Sequence, residues 1–277
     1  MPYGPIDLKL GVNQKNYVCH TCGKKIDLCP GHFGYIRLHL PIFHIGFFKA
    51  IIDILRCICK NCGRILLRDE DKEKYRPILR KKKLSSLKRK GLFKEICDLC
   101  RKVKICQYCG AYNGTVKHIP GTDATIIIHE INKNDMIDSL KIKYDSAMLL
   151  FKEMENSLNN QNNKFSEELT SNKVYELFKK IPKDDIVFFD MDIENAEPVD
   201  LLLQYVLVPP LPIRPTVQMG TSATNEDDLT IKIKEMIHLN KYIKMNINEG
   251  HGNTYKLIED LNLLQSTHAY YINSDTK

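Results

Sequence analysis

The chain has 277 residues and a mass of 32.0 kDa, with 43% apolar and 27% charged residues, a mean hydropathy of −0.31 and a formal net charge of +7. That is enough apolar material for one large or two modest cores, which excludes a disordered or collagen-like chain. The longest apolar stretches, Gly46 to Leu55 and Leu201 to Leu211, are broken by Lys49, Asp53 and Gln204 and fall short of the ~20 residues a membrane span needs.

The first residues, MPYGPIDLK, lack an apolar run behind a basic start, so no signal peptide and no oxidising compartment are expected. The ten cysteines therefore call for an explanation other than disulfides. The strongest signal comes first: Cys19-x-x-Cys22, then Cys29-x-x-His32. Two pairs of this spacing clamp a tetrahedral ion from opposite sides, and three thiols with one imidazole suit zinc. Gly23 and Gly31 let the backbone turn tightly round it. The plainer alternative is buried reduced cysteines.

Gly46 to Arg56 is apolar at helical spacing, and Asp69 to Leu79 and Leu84 to Leu99 read as exposed helices. Between and within the latter, Leu79 to Lys94 holds eight basic residues and no acid. Arg80, Lys81, Lys82, Lys83, Lys88, Arg89 and Lys90 could track a phosphate backbone or act as a nuclear localisation signal. A solvated helix face is the bland alternative. Three more Cys-x-x-Cys pairs follow the first site: Cys59 with Cys62, Cys97 with Cys100, and Cys106 with Cys109. Cys22, Cys62 and Cys109 are each followed by Gly, whereas Cys100 is followed by Arg101, so Cys59, Cys62, Cys106 and Cys109 are assigned to a second, four-cysteine zinc. Cys97 and Cys100 fit the end of a helical pattern as semi-buried thiols, and Cys57 faces the core. Four protein ligands close the coordination sphere, which makes both sites structural rather than catalytic.

Further on, Ala147 to Leu158 and Ser171 to Ile181 are amphipathic, separated by the Asn-rich loop NSLNNQNNK. Asp190 and Asp192 in FFDMD could be read as magnesium ligands, but two carboxylates without support are more often a loop or helix end. His39 and His44 read as ordinary core or edge histidines. Val208 to Pro215 (VPPLPIRP) cannot be helical and marks a stiff extended connection. Val217 to Asn225 is a polar loop. A capping box, Thr224 with Asp227, starts a helix through Leu229, Ile233, Met236, Ile237 and Leu239 to about Met245. A second runs from near Asn253 through Leu257, Leu261, Leu264 and Ala269 to about Ile272. With Asn248, Gly250 and Gly252 forming the turn, the two make an antiparallel helical hairpin.

Residues 1 to 120 carry 25 Lys or Arg against 9 Asp or Glu, and the remainder carries 16 against 25. A basic, cysteine-rich module facing a polyanion is thus followed by an acidic module facing protein or solvent, unless the charges drift by accident. There is no Gly-rich phosphate loop, Gly-x-Ser-x-Gly or His-Glu-x-x-His, so no catalytic apparatus is visible.

Several segments resemble one family, the largest subunit of multisubunit DNA-directed RNA polymerase, over almost the whole chain. They are Cys19-His-Thr-Cys22-Gly, Cys29-Pro-Gly-His32-Phe-Gly, Ile36-Arg-Leu-His-Leu-Pro41-Ile-Phe43-His44-Ile-Gly46-Phe47, Cys59-Lys-Asn-Cys62, Pro209-Pro-Leu-Pro-Ile-Arg214-Pro215 and Asn225-Glu-Asp-Asp-Leu-Thr230. Tyr3-Gly-Pro-Ile-Asp7 and Cys106-Gln-Tyr-Cys109-Gly110-Ala-Tyr-Asn-Gly114-Thr-Val-Lys117 look most like the class III form, which makes small RNAs. Asp7-Leu-Lys9-Leu10-Gly11 departs from the family's usual Asp-x-Arg-Met-Gly.

The resemblance implies an α+β, mainly helical clamp with two structural zincs, on Cys19, Cys22, Cys29 and His32 and on Cys59, Cys62, Cys106 and Cys109. It implies a zinc-binding portion over 1–118, a helical clamp head over 119–207, a Pro-rich connection and lid-like loop over 208–225, and a clamp coiled-coil hairpin over 226–277. The partners it implies are DNA and the DNA–RNA hybrid, the second-largest and other polymerase subunits, and initiation factors at the hairpin; a nuclear location follows, and no membrane. The family's three magnesium-binding aspartates are expected beyond Lys277, so the chain reads as a fragment or one piece of a split subunit, with magnesium and nucleotidyl transfer belonging to the complete enzyme. The rival reading is a free-standing zinc-containing nucleic-acid-binding or scaffold protein.

Overall fold

In a computed structural model, the structure describes residues 3–81, 84–119, 125–132, 141–142, 164–192, 194–219, 223–249 and 254–274. In chain order the described elements are β1 (Gly34–Phe43), α1 (Phe48–Cys57), α2 (Asp69–Leu79), α3 (Ser86–Lys102), β2 (Thr115–His118), β3 (Ile127–Asn132), β4 (Lys164–Glu168), α4 (Ser171–Lys179), α5 (Lys183–Ile186), β5 (Leu202–Val208), β6 (Val217–Met219), β7 (Ala223–Asn225), α6 (Asp228–Glu249) and α7 (Thr254–Ile272). The fold is thus mixed, with helices and short antiparallel sheets, and less one-sidedly helical than the sequence suggests. Two compact units interleave along the chain. One comprises Met1–Ile45, Gly121–Thr125 and Leu202–Lys277; the other comprises Gly46–Pro120 and Ile126–Leu201.

In the first unit β1 and β5 pair antiparallel, Gly34 opposite Val208 and Arg37 opposite Tyr205, before the register shifts and resumes with Ile42 opposite Leu203. The irregular stretch contains Pro41, which has no N–H to give a ladder. Side chains of the two helices bond the backbone of β1 in and just beyond this stretch. Asn240 on α6 accepts from His39 N at 2.9 Å and donates to Arg37 O at 2.8 Å. Gln265 on α7 accepts from Phe43 N at 2.6 Å and donates to Phe43 O at 2.8 Å. The alternation of β1 and β5 turns Ile36, Leu38, Ile42, Val206 and Val208 onto Ile233, Met236, Ile243, Leu261 and Leu264, which form one core. Helices α6 and α7 run side by side in opposite senses, with Asn246 bonded to Asp260 at 3.3 Å and Lys232 over the Tyr270 ring at 6.0 Å.

Three local expectations are corrected here. Thr224 lies in β7, and the cap of α6 is Asp227, whose Oδ1 accepts from Leu229 N at 2.9 Å. Within the expected loop 217–225 the described residues Val217–Met219 and Ala223–Asn225 form a small ladder, β6 against β7, with Val217 opposite Asn225; Val217 and Thr224 are β-branched, which suits extended backbone. The Pro-rich stretch is not wholly extended either: Leu211–Ile213 forms a 3₁₀ turn whose first turn tolerates Pro212 because no internal N–H bond is required there. The turn residues 250–253 and the helix expected over 147–158 lie outside the described residues, as does the Asn-rich stretch up to residue 163.

In the second unit α1 buries Ile51, Ile52, Ile54 and Leu55 and packs on α3 and β2. Strand β2 is the edge of the sheet β2-β3-β4. Helix α2 opens with Asp69, Glu70 and Asp71, charges that complement the positive end of the helix dipole. It is not fully exposed, since Tyr75 and Leu79 are buried. Helix α4 is capped by Thr170, whose hydroxyl accepts from Lys173 N at 3.5 Å.

Candidate metal centres

Three of the four Cys-x-x-Cys pairs fold into the same loop. Cys19 N donates to Lys24 O and accepts at its own carbonyl from Gly23 N, at 3.0 and 2.9 Å; Cys59 does the same with Arg64 and Gly63, and Cys106 with Ala111 and Gly110. The tight return puts Gly23, Gly63 and Gly110 at φ of 68°, 75° and 67°, the left-handed region that glycine enters freely. Each loop aims its sulfurs to one side. The structure brings Cys19, Cys22, Cys29 and His32 together in one group and Cys59, Cys62, Cys106 and Cys109 in another, the donor atoms of each lying within 4.8 Å of one another. The first group lies in the first unit and the second in the second.

The spacings match what a tetrahedral ion demands. Metal–sulfur bonds of about 2.3 Å at tetrahedral angles separate two sulfurs by roughly 3.8 Å. Cys22 and Cys29 are 3.5 Å apart, Cys59 and Cys109 3.6 Å, and Cys62 and Cys106 3.7 Å. Cys29 Sγ lies 3.7 Å from His32 Nε2, the ring nitrogen that faces the site. Both groups could hold a metal ion, with soft donors and no room in the ligand count for a substrate.

Each group holds one thiol shifted down, while burial and the neighbouring sulfurs shift Cys29, Cys62 and Cys106 up, so local geometry rather than electrostatics sets these thiols apart from the remaining ones. At Cys59 burial opposes ionisation, but N–H donors from Cys62 and Asn61 and the Asn113 amide outweigh it and bring the thiol down to about 7. Cys19 is likewise lowered against its burial by the amides of Cys22 and Thr21. Cys97 and Cys100 lie within α3, not in a loop of this kind, and Cys57 Sγ donates to Cys97 Sγ at 3.2 Å. Contact with Cys100, then burial, pushes Cys57 up; contact with Cys57, then burial, does the same for Cys97. Cys57 and Cys97 are thus held as thiols in the core, suited to packing rather than to metal.

Two supports lie beyond what the cysteine spacing shows. Asn113, 2% exposed, donates to Cys59 Sγ at 3.5 Å and accepts from Lys60 N at 3.0 Å. Tyr108, inside the Cys106–Cys109 loop, donates to Asp69 Oδ1 at 2.9 Å and bonds Lys72, which faces the buried Asp185. The only signal for either is position: a buried-type amide just after one loop, and an aromatic within it.

The basic stretch is only partly free. Arg80 ends α2, and Lys81, Lys88 and Lys90 are exposed, but Arg89 pairs with Asp190 at 3.6 Å; Lys82 and Lys83 lie outside the described residues. Asp190 sits at φ 57°, and Asp192 accepts from Glu194 N and Asn195 Nδ2 at 3.2 and 2.8 Å, so both serve turn geometry. His39 is exposed, and His44 meets the buried His268 edge to face.

Two cysteine-rich groups that could each hold a metal ion, in a mixed α/β chain, define the class of protein. The chain belongs to the RNA polymerase Rpb1 domain 1 family, whose model matches residues 1–277. Among curated proteins it is 43% identical to the DNA-directed RNA polymerase III subunit rpc1 of Dictyostelium discoideum, over 99% of this chain and 18% of that protein. It is 42% and 41% identical to DNA-directed RNA polymerase III subunit RPC1 of Bos taurus and of Homo sapiens, over 99% of this chain and 20% of each of those proteins. The chain thus spans about a fifth of the length of these relatives. Among the described residues no helix is long and apolar enough to cross a membrane.

Proposed function

We propose that this chain is the clamp portion of the largest subunit of a class III DNA-directed RNA polymerase, closing over DNA and the DNA–RNA hybrid in the nucleus. The observation that carries the reading is the pair of tetrahedral donor groups, each built on the same Cys-loop, in a chain that matches the family from end to end. Each group takes one structural zinc: Cys19, Cys22, Cys29 and His32 the first, Cys59, Cys62, Cys106 and Cys109 the second. Lys81, Lys88 and Lys90, with Arg80, Lys82, Lys83 and Arg89, hold nucleic acid through backbone charge, which makes binding tolerant of sequence and steep in salt.

Within this reading residues 1–118 are the zinc-binding portion, 119–207 the clamp head, 208–225 the connection and lid, and 226–277 a coiled-coil hairpin that receives initiation factors. Other polymerase subunits complete the assembly, and nucleotidyl transfer with its magnesium belongs to that assembly. A rival reading as a zinc-stabilised scaffold without nucleic acid predicts no loss of DNA binding when the basic stretch is neutralised.

Native mass spectrometry of the purified chain tests the metal assignment. Two zincs are expected in the wild type, one in the Cys106→Ser, Cys109→Ser variant, and two in Cys97→Ser, Cys100→Ser. An unchanged count in the first variant, or a lost zinc in the second, overturns it. In parallel, Lys81→Ala, Lys88→Ala, Lys90→Ala is expected to lower duplex affinity and flatten its salt dependence; unchanged affinity favours the scaffold.

A further inference from the structure

The outward face of the β1–β5 ribbon takes no part in the metal centres or in the core beneath it. Alternation along the chain puts Phe33, Tyr35 and Arg37 on this face, and the register sets Tyr35 opposite Leu207 and Arg37 opposite Tyr205. The rings are open to solvent: Phe33 is 63% exposed, Tyr35 70% and Tyr205 50%. Tyr35 and Tyr205 meet edge to face with centroids 5.6 Å apart, which fixes them as a pair without covering their outer surfaces. Beside them opens a cavity of about 540 Å³, lined by Tyr3, Lys9, Phe33, Tyr35 and Arg37 over a floor that includes Ile36 and Val208.

The charge around this cavity has one sign. Lys9 Nζ lies 5.0 Å from the centre of the Tyr3 ring, and Arg37 lies opposite Tyr205 and two residues beyond Tyr35 on the ribbon. Among the described residues the one carboxylate in the lining is Asp7, and it is turned inward and spent. It accepts from Tyr3 N at 2.6 Å and from Lys9 N at 2.8 Å, is 9% exposed, and is held ionised by the Lys9 bond before all else.

A row of rings alone would fit an apolar stretch of another polypeptide as well. Rings interleaved with cations, with no outward carboxylate, fit a ligand that presents flat faces and negative charge together. A duplex hides its base faces in the stack, whereas a single strand exposes them. We propose that this face is a stacking platform for single-stranded nucleic acid, with bases on Phe33, Tyr35 and Tyr205 and phosphates on Lys9 and Arg37. The proposal rests on the nucleic-acid reading above for its class of ligand and uses none of that reading's residues.

The experiment uses the full chain and a fluorescent oligothymidylate, with a duplex of equal length as reference. Tyr35→Ala, Tyr205→Ala is expected to weaken single-strand binding about tenfold or more while leaving duplex binding unchanged, and Tyr35→Phe, Tyr205→Phe to bind as wild type, because stacking needs the ring and not the hydroxyl. Lys9→Ala, Arg37→Ala is expected to flatten the salt dependence of single-strand binding. Photo-crosslinking the wild type to the same oligonucleotide reads the site without a variant, and the crosslinked peptides should contain Tyr35 or Tyr205. Undiminished single-strand affinity in the alanine variant, equal loss in the phenylalanine variant, or crosslinks confined to residues 80–90 would overturn it. So would protection of these tyrosines from nitration by another polymerase subunit but not by the oligonucleotide, which would make the face a protein contact. Loss of duplex binding in the Lys81, Lys88, Lys90 variant with single-strand binding intact separates the two sites.

Discussion

Two carboxamides bond the backbone of β1, Asn240 in the irregular stretch and Gln265 at Phe43 where pairing has resumed, and they are not equivalent. Gln265 and Phe43 are both buried, so Gln265→Leu would remove the two side-chain bonds to the N–H and C=O of Phe43 where water does not reach to replace them. Asn240 serves His39 and Arg37, which are exposed and can turn to solvent. A buried hydrogen bond lost without replacement costs about 1–3 kcal/mol, so Gln265→Leu is expected to destabilise by about 2 kcal/mol and Asn240→Ala by about 1 kcal/mol. Chemical denaturation of the two variants measures the difference, and equal losses would refute the argument. His268, 1% exposed, makes a second residue-scale case. Burial first, then His44, brings its pKa to about 4 from 6.5. Between those values the unfolded chain binds a proton that the folded chain refuses, so the stability it contributes is complete above pH 6.5 and is lost as pH falls toward 4. Its Nδ1 is buried without a hydrogen-bond partner. His268→Phe should therefore be neutral or stabilising at pH 7, and should shrink the stability lost between pH 7 and pH 5 by about 2 kcal/mol relative to wild type. A parallel pH series of unfolding curves reads this directly; His129, also lowered to about 4 by burial, supplies the residual slope.

At the scale of elements, the Cys-loop was legible because its chemistry is local. The rule that a productive pair is followed by Gly has a backbone cause: the residue after the second cysteine must enter the left-handed region while its N–H returns to the first cysteine. That also explains why Cys97 and Cys100, set in a continuing helix, stay out of a site. Helices α1 to α4, α6 and α7 were legible from their spacing to within a few residues at each end, whereas the single turn of α5 was not. The strands β1 and β5 were not, since their pairing spans most of the chain and β1 carries a proline within an irregular ladder, in and just beyond which its backbone bonds to Asn240 and Gln265. The cap of α6 moved from Thr224 to Asp227 because Thr224 is held in a ladder, a competition invisible in four residues of sequence. The loops themselves make a graded prediction. A Cβ added at Gly23 would meet open space, whereas at Gly63 that atom would lie 2.9 Å from Lys180 Cβ and 3.1 Å from Leu177 O. Gly23→Ala should cost only the left-handed backbone term, about 1–2 kcal/mol. Gly63→Ala should cost clearly more and weaken metal retention, which thermal melts of the metal-loaded chain and competition with a chelator would show; a Gly23 variant as damaged as the Gly63 variant would count against the geometry.

At the scale of the whole molecule, each candidate metal centre sits in its own compact unit, and the two units depend on theirs differently. In the second unit the Cys59 and Cys106 loops are 44 residues or more apart in sequence, measured from Cys62 to Cys106, and the ion would join the segment after α1 to the segment before β2. Binding energy of that kind is folding energy, because no such site exists in the unfolded chain. In the first unit the Cys19 group closes a short loop, while the β1–β5 ribbon and helices α6 and α7 have a core of ten buried side chains independent of it. Removing the second metal should therefore act on one unit. In Cys106→Ser, Cys109→Ser, amide hydrogen exchange is expected to rise sharply through β2 and the end of α1. Protection of β1, β5, α6 and α7 is expected to stay near wild type, since their hydrogen bonds run to Asn240, Gln265 and one another. Uniform loss of protection across both sets would mean that the two units fold as one, and that the ion at Cys59 and Cys106 stabilises the whole chain rather than the unit that supplies its ligands.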